Sequence, residues 1–100
     1  MSTQEIIKTL KKSTTKAKLK KMGIKHMWLV GSFSRNQQTL DSDVDLVYEK
    51  NDPKNFDLFD RLDVKEYIEN LIDREVDLIS PKYIHPFIKK KLLSSLIEIF

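Results

Sequence analysis

The chain has 100 residues, 40% of them apolar, which suffices for one small domain with a single core and leaves no room for a second. It contains no cysteine, which excludes a disulfide framework and a zinc–thiolate site. No apolar run approaches the roughly 18 residues that cross a bilayer, and the N-terminus lacks the order of a signal peptide, so we expect a cytoplasmic protein.

The net charge of +3 conceals an uneven distribution along the chain. Residues 1–26 hold eight lysines and one glutamate, residues 27–80 hold six basic and thirteen acidic side chains, and residues 81–100 hold four lysines and one glutamate. A basic segment suits nucleic acid. This one lacks interleaved aromatic side chains for base stacking, so we favour a solvated helix face and do not expect direct nucleic-acid binding.

The first elements are a helix and a strand. A helix over residues 3–22 would place on one face Ile7, Leu10, Thr14 and Ala17. Gly23 supplies its C-terminal stop. The apolar run that follows predicts a buried strand over residues 25–30.

A Gly-Ser pair follows this strand directly. Ser32 is a good N-cap residue, and we expect it to begin a short helix that runs to about Gln38. The N-terminus of that helix would direct N–H groups towards an anion, and Gly31 would let phosphate oxygens approach the backbone. Arg35, one helical turn further on, would either reach the same anion or pair with a nearby carboxylate.

Two aspartates come next, at the start of a strand predicted over residues 43–49. Because side chains alternate along a strand, Asp43 and Asp45 point to one face about 7 Å apart, while Val44 and Leu46 point into a core. Two carboxylates held in this way predict a Mg²⁺ site. Solvated residues on an edge strand are the alternative, which would leave the upstream Gly-Ser pair unexplained.

The second half of the chain continues the alternation of helices and strands. A turn at residues 51–53 precedes a helix over residues 57–73, which Asp63 could interrupt. Its expected buried positions include Phe59, Leu62, Leu71 and Ile72. A strand over residues 75–80 follows.

The last helix is predicted over residues 84–98. Apolar residues recur in it at intervals of four, at Ile84, Ile88, Leu92 and Leu96. Four further apolar side chains exceed what one buried stripe can use: Leu93, Ile97, Ile99 and Phe100. The surplus predicts either a partner surface or the packing of a terminal strand or helix end onto the same domain.

The spacing of Gly31-Ser32, Arg35 and Asp43-Val44-Asp45 resembles the signature of the polymerase-beta-like nucleotidyltransferase superfamily. Val76-Asp77-Leu78-Ile79 completes the pattern, which covers residues from about 24 to 80. Within that superfamily, the short chain looks like the minimal nucleotidyltransferases. The resemblance implies an α/β (α+β) fold in one domain over residues 1–100, a small mixed sheet of about three to four strands with helices packed on it.

The resemblance also implies roles for individual residues. Asp77 would be the third carboxylate, on a neighbouring strand, where directly opposed side chains lie about 5 Å apart. The implied roles are catalysis and the binding of two Mg²⁺ ions by Asp43, Asp45 and Asp77, and the binding of ATP by Gly31, Ser32 and Arg35. The other interpretation of Asp77 is a solvent-facing residue on a half-buried strand.

The chain departs from the family pattern at two turns. Asn36 stands where the family commonly has glycine, and since asparagine tolerates a left-handed backbone we expect the turn to be kept. The glycine that often closes the helix before the third strand is absent from residues 72–75, which weakens a helix cap and leaves the chemistry untouched.

Minimal nucleotidyltransferases of this type resemble antitoxins that act with a helical HEPN-type toxin. The resemblance implies a protein adenylyltransferase that transfers AMP from ATP to a tyrosine of that partner, in a heteromeric complex. Three alternatives remain at this point: a small-molecule nucleotidyltransferase similar to those that modify aminoglycosides, a catalytically idle module that masks a toxin, and a nucleic-acid binder that uses the lysine-rich first helix.

Overall fold

The computed structural model describes residues 2–100, so only Met1 of the predicted domain lies outside the described residues. The α-helices are α1 (Thr3–Lys11), α2 (Ser13–Lys21), α3 (Gly31–Ser34), α4 (Leu58–Ile72) and α5 (Pro86–Leu93). The strands are β1 (Ile24–Val30), β2 (Val44–Lys50), β3 (Val76–Ile79) and β4 (Ile97–Glu98). Short 3₁₀ turns lie at Pro53–Asn55 and Pro81–Tyr83.

The four strands form one mixed sheet in the order β3-β2-β1-β4. Strand β1 is antiparallel to both β2 and β4, whereas β2 and β3 are parallel and are joined through α4. The expected α+β fold is therefore confirmed. The start of β2, the start of β3 and the end of β1 meet at one end of the sheet.

Alternation along the strands gives the sheet two different faces. Val44 and Leu46 are fully buried on the face that packs on α1, α2 and α4, as the sequence predicted. The other face carries a smaller apolar cluster of Val30, Val47 and Ile84, with Leu92 of α5 packed against it. Asp45 lies between Val44 and Leu46, so it belongs to this second face.

Side chains of α4 hold the outer edge of β3. Lys65 donates to the Val76 carbonyl at 2.7 Å and to Glu69 Oε2 at 2.8 Å, and the same Glu69 oxygen accepts the Val76 N–H at 2.9 Å. Arg61 donates to the Leu78 carbonyl at 2.6 Å. These bonds satisfy backbone groups that an edge strand would otherwise leave open, and they fix the strand that carries Asp77.

The prediction of a single N-terminal helix over residues 3–22 is wrong. The chain leaves the helical conformation at Lys12, with ψ 140°, and α2 starts again at the next residue. The break changes the buried face of the second helix, so Thr15 and Leu19 are buried while Thr14 and Ala17 are exposed. Gly23, with φ 103°, ends the helical region as predicted.

Helix α4 has the predicted extent, without a break at Asp63, but its buried face differs from the prediction. Val64, Ile68 and Ile72 are buried, whereas Phe59 is 74% and Leu62 45% exposed. Apolar residues occur on both sides of this helix, so spacing alone does not identify the side that faces the sheet. No helix within residues 2–100 combines the length and apolar character needed to span a membrane.

The last helix was predicted over residues 84–98, which is longer than the helix observed, Pro86–Leu93. It ends at Leu93, and the chain then forms β4 beside β1. Ile99 is 5% exposed, and Ile97 and Phe100 pack against the core cluster. A terminal strand therefore takes up much of the apolar surplus.

Candidate active site

Gly31 joins the two halves of the predicted motif. It follows β1 with φ 75°, a left-handed conformation that favours glycine. Val30 is paired with Asp45 across the sheet. A Cβ added at Gly31 would overlap with Asp45 Oδ2 and lie 3.2 Å from Asp45 Cγ. A glycine is thus required because the Asp45 carboxyl group lies directly against this backbone.

The helix after Gly31 is shorter than predicted. It spans Gly31–Ser34, and Val30, not Ser32, occupies the N-cap position. The Gln37 N–H donates to the Ser32 carbonyl at 2.8 Å, and Asn36 takes φ 55°. The left-handed turn expected at Asn36 is therefore present, and it ends the helix before Gln38.

The carboxylates lie where the ends of the strands meet. Asp45 and Asp77 are paired in the parallel register of β2 and β3, so their side chains project from one face of neighbouring strands about 4.8 Å apart. Strand β2 begins at Val44, one residue later than predicted, so Asp43 immediately precedes it. Asp45 is half-buried, and Asp43 and Asp77 are exposed.

The environment of Asp45 favours its protonated form. Burial raises the pKa of Asp45 to about 6, with further contributions from the negative charges of Asp77 and Asp43, while the Arg35 guanidinium acts in the opposite direction. Both neighbouring carboxylates are therefore close enough to repel a charge on Asp45. Such a concentration of negative charge is typical of functional sites.

A cavity of about 290 Å³ opens beside Asp45, on the face covered by α5. Its lining consists of Gly31, Ser32, Arg35, Asp45, Ile88, Lys91 and Leu92. The predicted phosphate-binding residues Gly31, Ser32 and Arg35 are therefore brought together. Sequence reasoning missed Lys91, because the side of α5 that faces the site becomes apparent only from the packing.

The donor set suits a hard cation such as Mg²⁺, which prefers carboxylate oxygens. The pKa of Asp45 is raised mainly by burial, but the charges of Asp77 and Asp43 contribute, and a bound cation would compensate those charges. Within residues 2–100, Asp43, Asp45 and Asp77 do not form a set of three compact enough to hold an ion by themselves. The chemistry of the residues fits the metal, and Asp43, Asp45 and Asp77 are the carboxylates that would hold it.

Solved structures share this fold. A structure described as a "putative minimal nucleotidyltransferase" matches with a TM-score of 0.77 and 22% identity over 97% of this chain and 95% of that one. A toxin-antitoxin crystal structure with AMP-PNP matches with a TM-score of 0.67 and 19% identity, over 100% of this chain and 73% of that one. A third, of a tri-AMPylated Shewanella oneidensis HEPN toxin in complex with MNT antitoxin, has a TM-score of 0.55 and 17% identity, covering 84% of this chain and 67% of that one. The fold is that of a minimal nucleotidyltransferase domain.

Relatives in sequence define the family. Residues 7–99 match the nucleotidyltransferase domain. Two proteins of Methanocaldococcus jannaschii named "Putative protein adenylyltransferase" are 36% identical over 101 residues and 32% identical over 100 residues, each covering 99% of this chain and 100% of the relative. The chain belongs to the nucleotidyltransferase domain family.

Proposed function

We propose that this chain is the antitoxin of a HEPN-type toxin and that, with Mg²⁺, it transfers AMP from ATP to a tyrosine of that toxin. The observation that carries the proposal is the position of Asp45, half-buried between Gly31 and Asp77 and beside a cavity with two cationic side chains. Carboxylates next to cations suit a metal-bound polyphosphate. The names of the relatives and the toxin–antitoxin structures with the same fold support the protein acceptor.

Each residue has a role in the proposed reaction. Gly31 and Ser32 admit the ATP phosphates, and Arg35 and Lys91 neutralise their charge. The residues that would hold Mg²⁺ are Asp43, Asp45 and Asp77. The bound metal would stabilise charge on the attacking and leaving oxygens.

The transfer exchanges one phosphorus–oxygen bond for another. The tyrosine oxygen bonds to the α-phosphorus, the bond from that phosphorus to the bridging oxygen breaks, and pyrophosphate leaves. In this proposal Asp77 takes the phenolic proton, and its exposure lets a macromolecular acceptor approach it. Cytoplasm, which supplies ATP and Mg²⁺, is the proposed location.

The test is incubation with ATP, Mg²⁺ and the toxin encoded by the neighbouring gene, followed by mass analysis of both chains. We expect the toxin to gain the mass of one or more adenylyl groups on tyrosine. Asp45→Asn should abolish the gain, whereas Asp63→Asn, an exposed aspartate of α4, should retain it. A gain that survives Asp45→Asn would contradict the assigned site.

Two other results would replace the proposal. Neutralisation of the toxin without any change in mass, and with Asp45→Asn equally effective, would indicate a masking module. Adenylylation of an aminoglycoside-like small molecule in place of the toxin would indicate a small-molecule nucleotidyltransferase.

A further inference from the structure

Arg74 connects three segments that build the candidate site. It lies between α4 and β3, three residues before Asp77. Its guanidinium carbon is 4.9 Å from the centroid of the Phe33 ring. Nη1 donates to the Ser42 carbonyl at 2.9 Å and to the Leu40 carbonyl at 3.3 Å. The Arg74 side chain thus contacts both α3 and the loop over residues 35–43, which connects α3 to β2.

The groups that Arg74 contacts are next to site residues. Phe33 is fully buried and belongs to α3, which begins at Gly31. Ser42 directly precedes Asp43. Arg74 therefore links the residue before Asp43 to α3, while the residue after Asp43 is held separately, by the Val44 N–H that donates to the Glu75 carbonyl at 2.9 Å.

The loop has few other restraints. The Thr39 N–H donates to Ser42 Oγ at 2.8 Å, and the Ser42 N–H donates to the Thr39 carbonyl at 3.2 Å, but both bonds lie within the loop. Leu40 at its tip is 92% exposed. Within residues 2–100, Arg74 is the one side chain outside residues 39–43 that donates a hydrogen bond to residues 39–43, whereas Arg35 donates to Gln37 earlier in the loop.

The chemistry of arginine matches these contacts. A planar guanidinium can stack on a ring through its face while its edge donates to two carbonyl groups. A lysine ammonium at the same place keeps charge and donors but loses the stacking and the fixed fork. Glutamine loses the charge as well.

We propose that Arg74 is a positioning residue that holds residues 40–43 against α3 and thereby fixes Asp43 relative to Asp45 and Gly31. The effect on metal and nucleotide rests on the proposed function, but the effect on the loop does not. The matched control is Arg61, which also donates to a backbone carbonyl, that of Leu78 on β3, and has no contact with the loop.

The first measurement is hydrogen exchange of the peptide covering residues 36–43, without metal or nucleotide. We expect exchange to be about tenfold faster in Arg74→Gln, because a hydrogen bond to a charged group is lost. Arg74→Lys should restore part of the protection, and Arg61→Gln should leave this peptide unchanged. Thermal midpoints of all three variants check that they are folded. Unchanged exchange in Arg74→Gln would overturn the proposal.

The second measurement is calorimetry of AMP-PNP binding at increasing Mg²⁺ concentration. We expect Arg74→Gln to need about five- to tenfold more Mg²⁺ for half-maximal nucleotide binding, with affinity near that of the parent once Mg²⁺ is saturating. The control for this measurement is Lys50→Gln, which removes a cation from the Phe56 ring at the end of β2 far from Asp45, and it should follow the parent. An identical Mg²⁺ dependence in Arg74→Gln would overturn the link to Asp43. If the parent itself bound no nucleotide, the proposed function would fail and the exchange result alone would decide the role of Arg74.

Discussion

One face of the sheet packs on α1, α2 and α4 through a continuous apolar core, whereas the other carries the candidate site beneath α5 and a short 3₁₀ turn. Both faces are built from alternate residues of the same strands. Leu46 is fully buried on the first face, and Asp45, the residue before it, lies half-buried on the second. The comparison separates the residues that stabilise the fold from those that carry the chemistry.

The largest expected effect on stability tests this separation directly. Leu46→Ala should lower the free energy of unfolding by about 2–5 kcal/mol, since it leaves a cavity in the core. Asp45→Asn, without metal, should keep or modestly raise the thermal midpoint, because it removes one of three mutually repelling charges. Urea denaturation of Leu46→Ala and thermal denaturation of Asp45→Asn, both with a chelator present, measure the two effects.

Mg²⁺ and ATP extend this test. They should raise the midpoint of the parent through linkage and should raise that of Asp45→Asn much less. A strongly destabilised Asp45→Asn without metal would mean that this carboxylate stabilises the fold, and the metal site would have to be withdrawn.

A smaller loss of stability is expected for a substitution at Gly31, the residue after β1 whose backbone contacts the Asp45 carboxyl group. Gly31→Ala should cost about 1–2 kcal/mol for the left-handed conformation and an additional amount for the overlap with the Asp45 carboxyl group. In an Asp45→Ala background the overlap with the carboxyl group is gone, so the cost should fall to the backbone part and the remaining 3.3 Å contact with the Cβ of residue 45. A double-mutant cycle measured by urea denaturation isolates that difference. Additive costs would show that Gly31 is needed for its conformation alone.

The pH dependence of stability sharpens the comparison further. The pKa of Asp45 is about 6 in the folded chain, above its ordinary value of 3.8, so the folded state binds this proton more tightly than the unfolded state. Protonation of Asp45 thus stabilises the fold, fully below about pH 4, and this contribution is lost as the pH rises through about 6. Allowing for partial exposure, the loss is on the order of 1–2 kcal/mol.

The matching measurement is the free energy of unfolding between pH 4 and pH 7 in the parent and in Asp45→Asn, both without metal. The difference between the two proteins should change over this window, because only the parent titrates at position 45, and carboxylates other than Asp43 and Asp77 contribute equally to both. A constant difference would show that Asp45 titrates normally in the folded state.

The sequence predicted which residues of the candidate site lie close together better than it predicted the packing around them. Gly31, Asp43 and Asp45 lie within fifteen residues, where strand alternation and turn chemistry act locally. The face that a helix buries is a tertiary property, so Phe59 and Leu62 were wrongly expected inside. Lys91 and Arg74 gave no local signal, because each acts on a segment more than thirty residues away.

The smallest predicted effect concerns the missing glycine at the end of α4, where Asp73 lines a cavity together with Asp43 and Arg74. Asp73 takes the left-handed C-cap conformation there, with φ 52° and ψ 47°. Asp73→Gly relieves this backbone strain, which stabilises the folded state by about 1–2 kcal/mol. Glycine also makes the unfolded chain more flexible, which destabilises the fold by about 0.5–1 kcal/mol. The net expectation is a stabilisation of roughly 0.5–1 kcal/mol. Asp63→Gly, in the middle of the same helix, is the control and should destabilise by roughly 0.3 kcal/mol, the difference in helix propensity between aspartate and glycine. Since Asp73 precedes Arg74, nucleotide binding should also be compared. A gain in stability with unchanged binding confirms that this turn contributes to the fold alone, whereas altered binding would show that the cap also sets the position of Arg74.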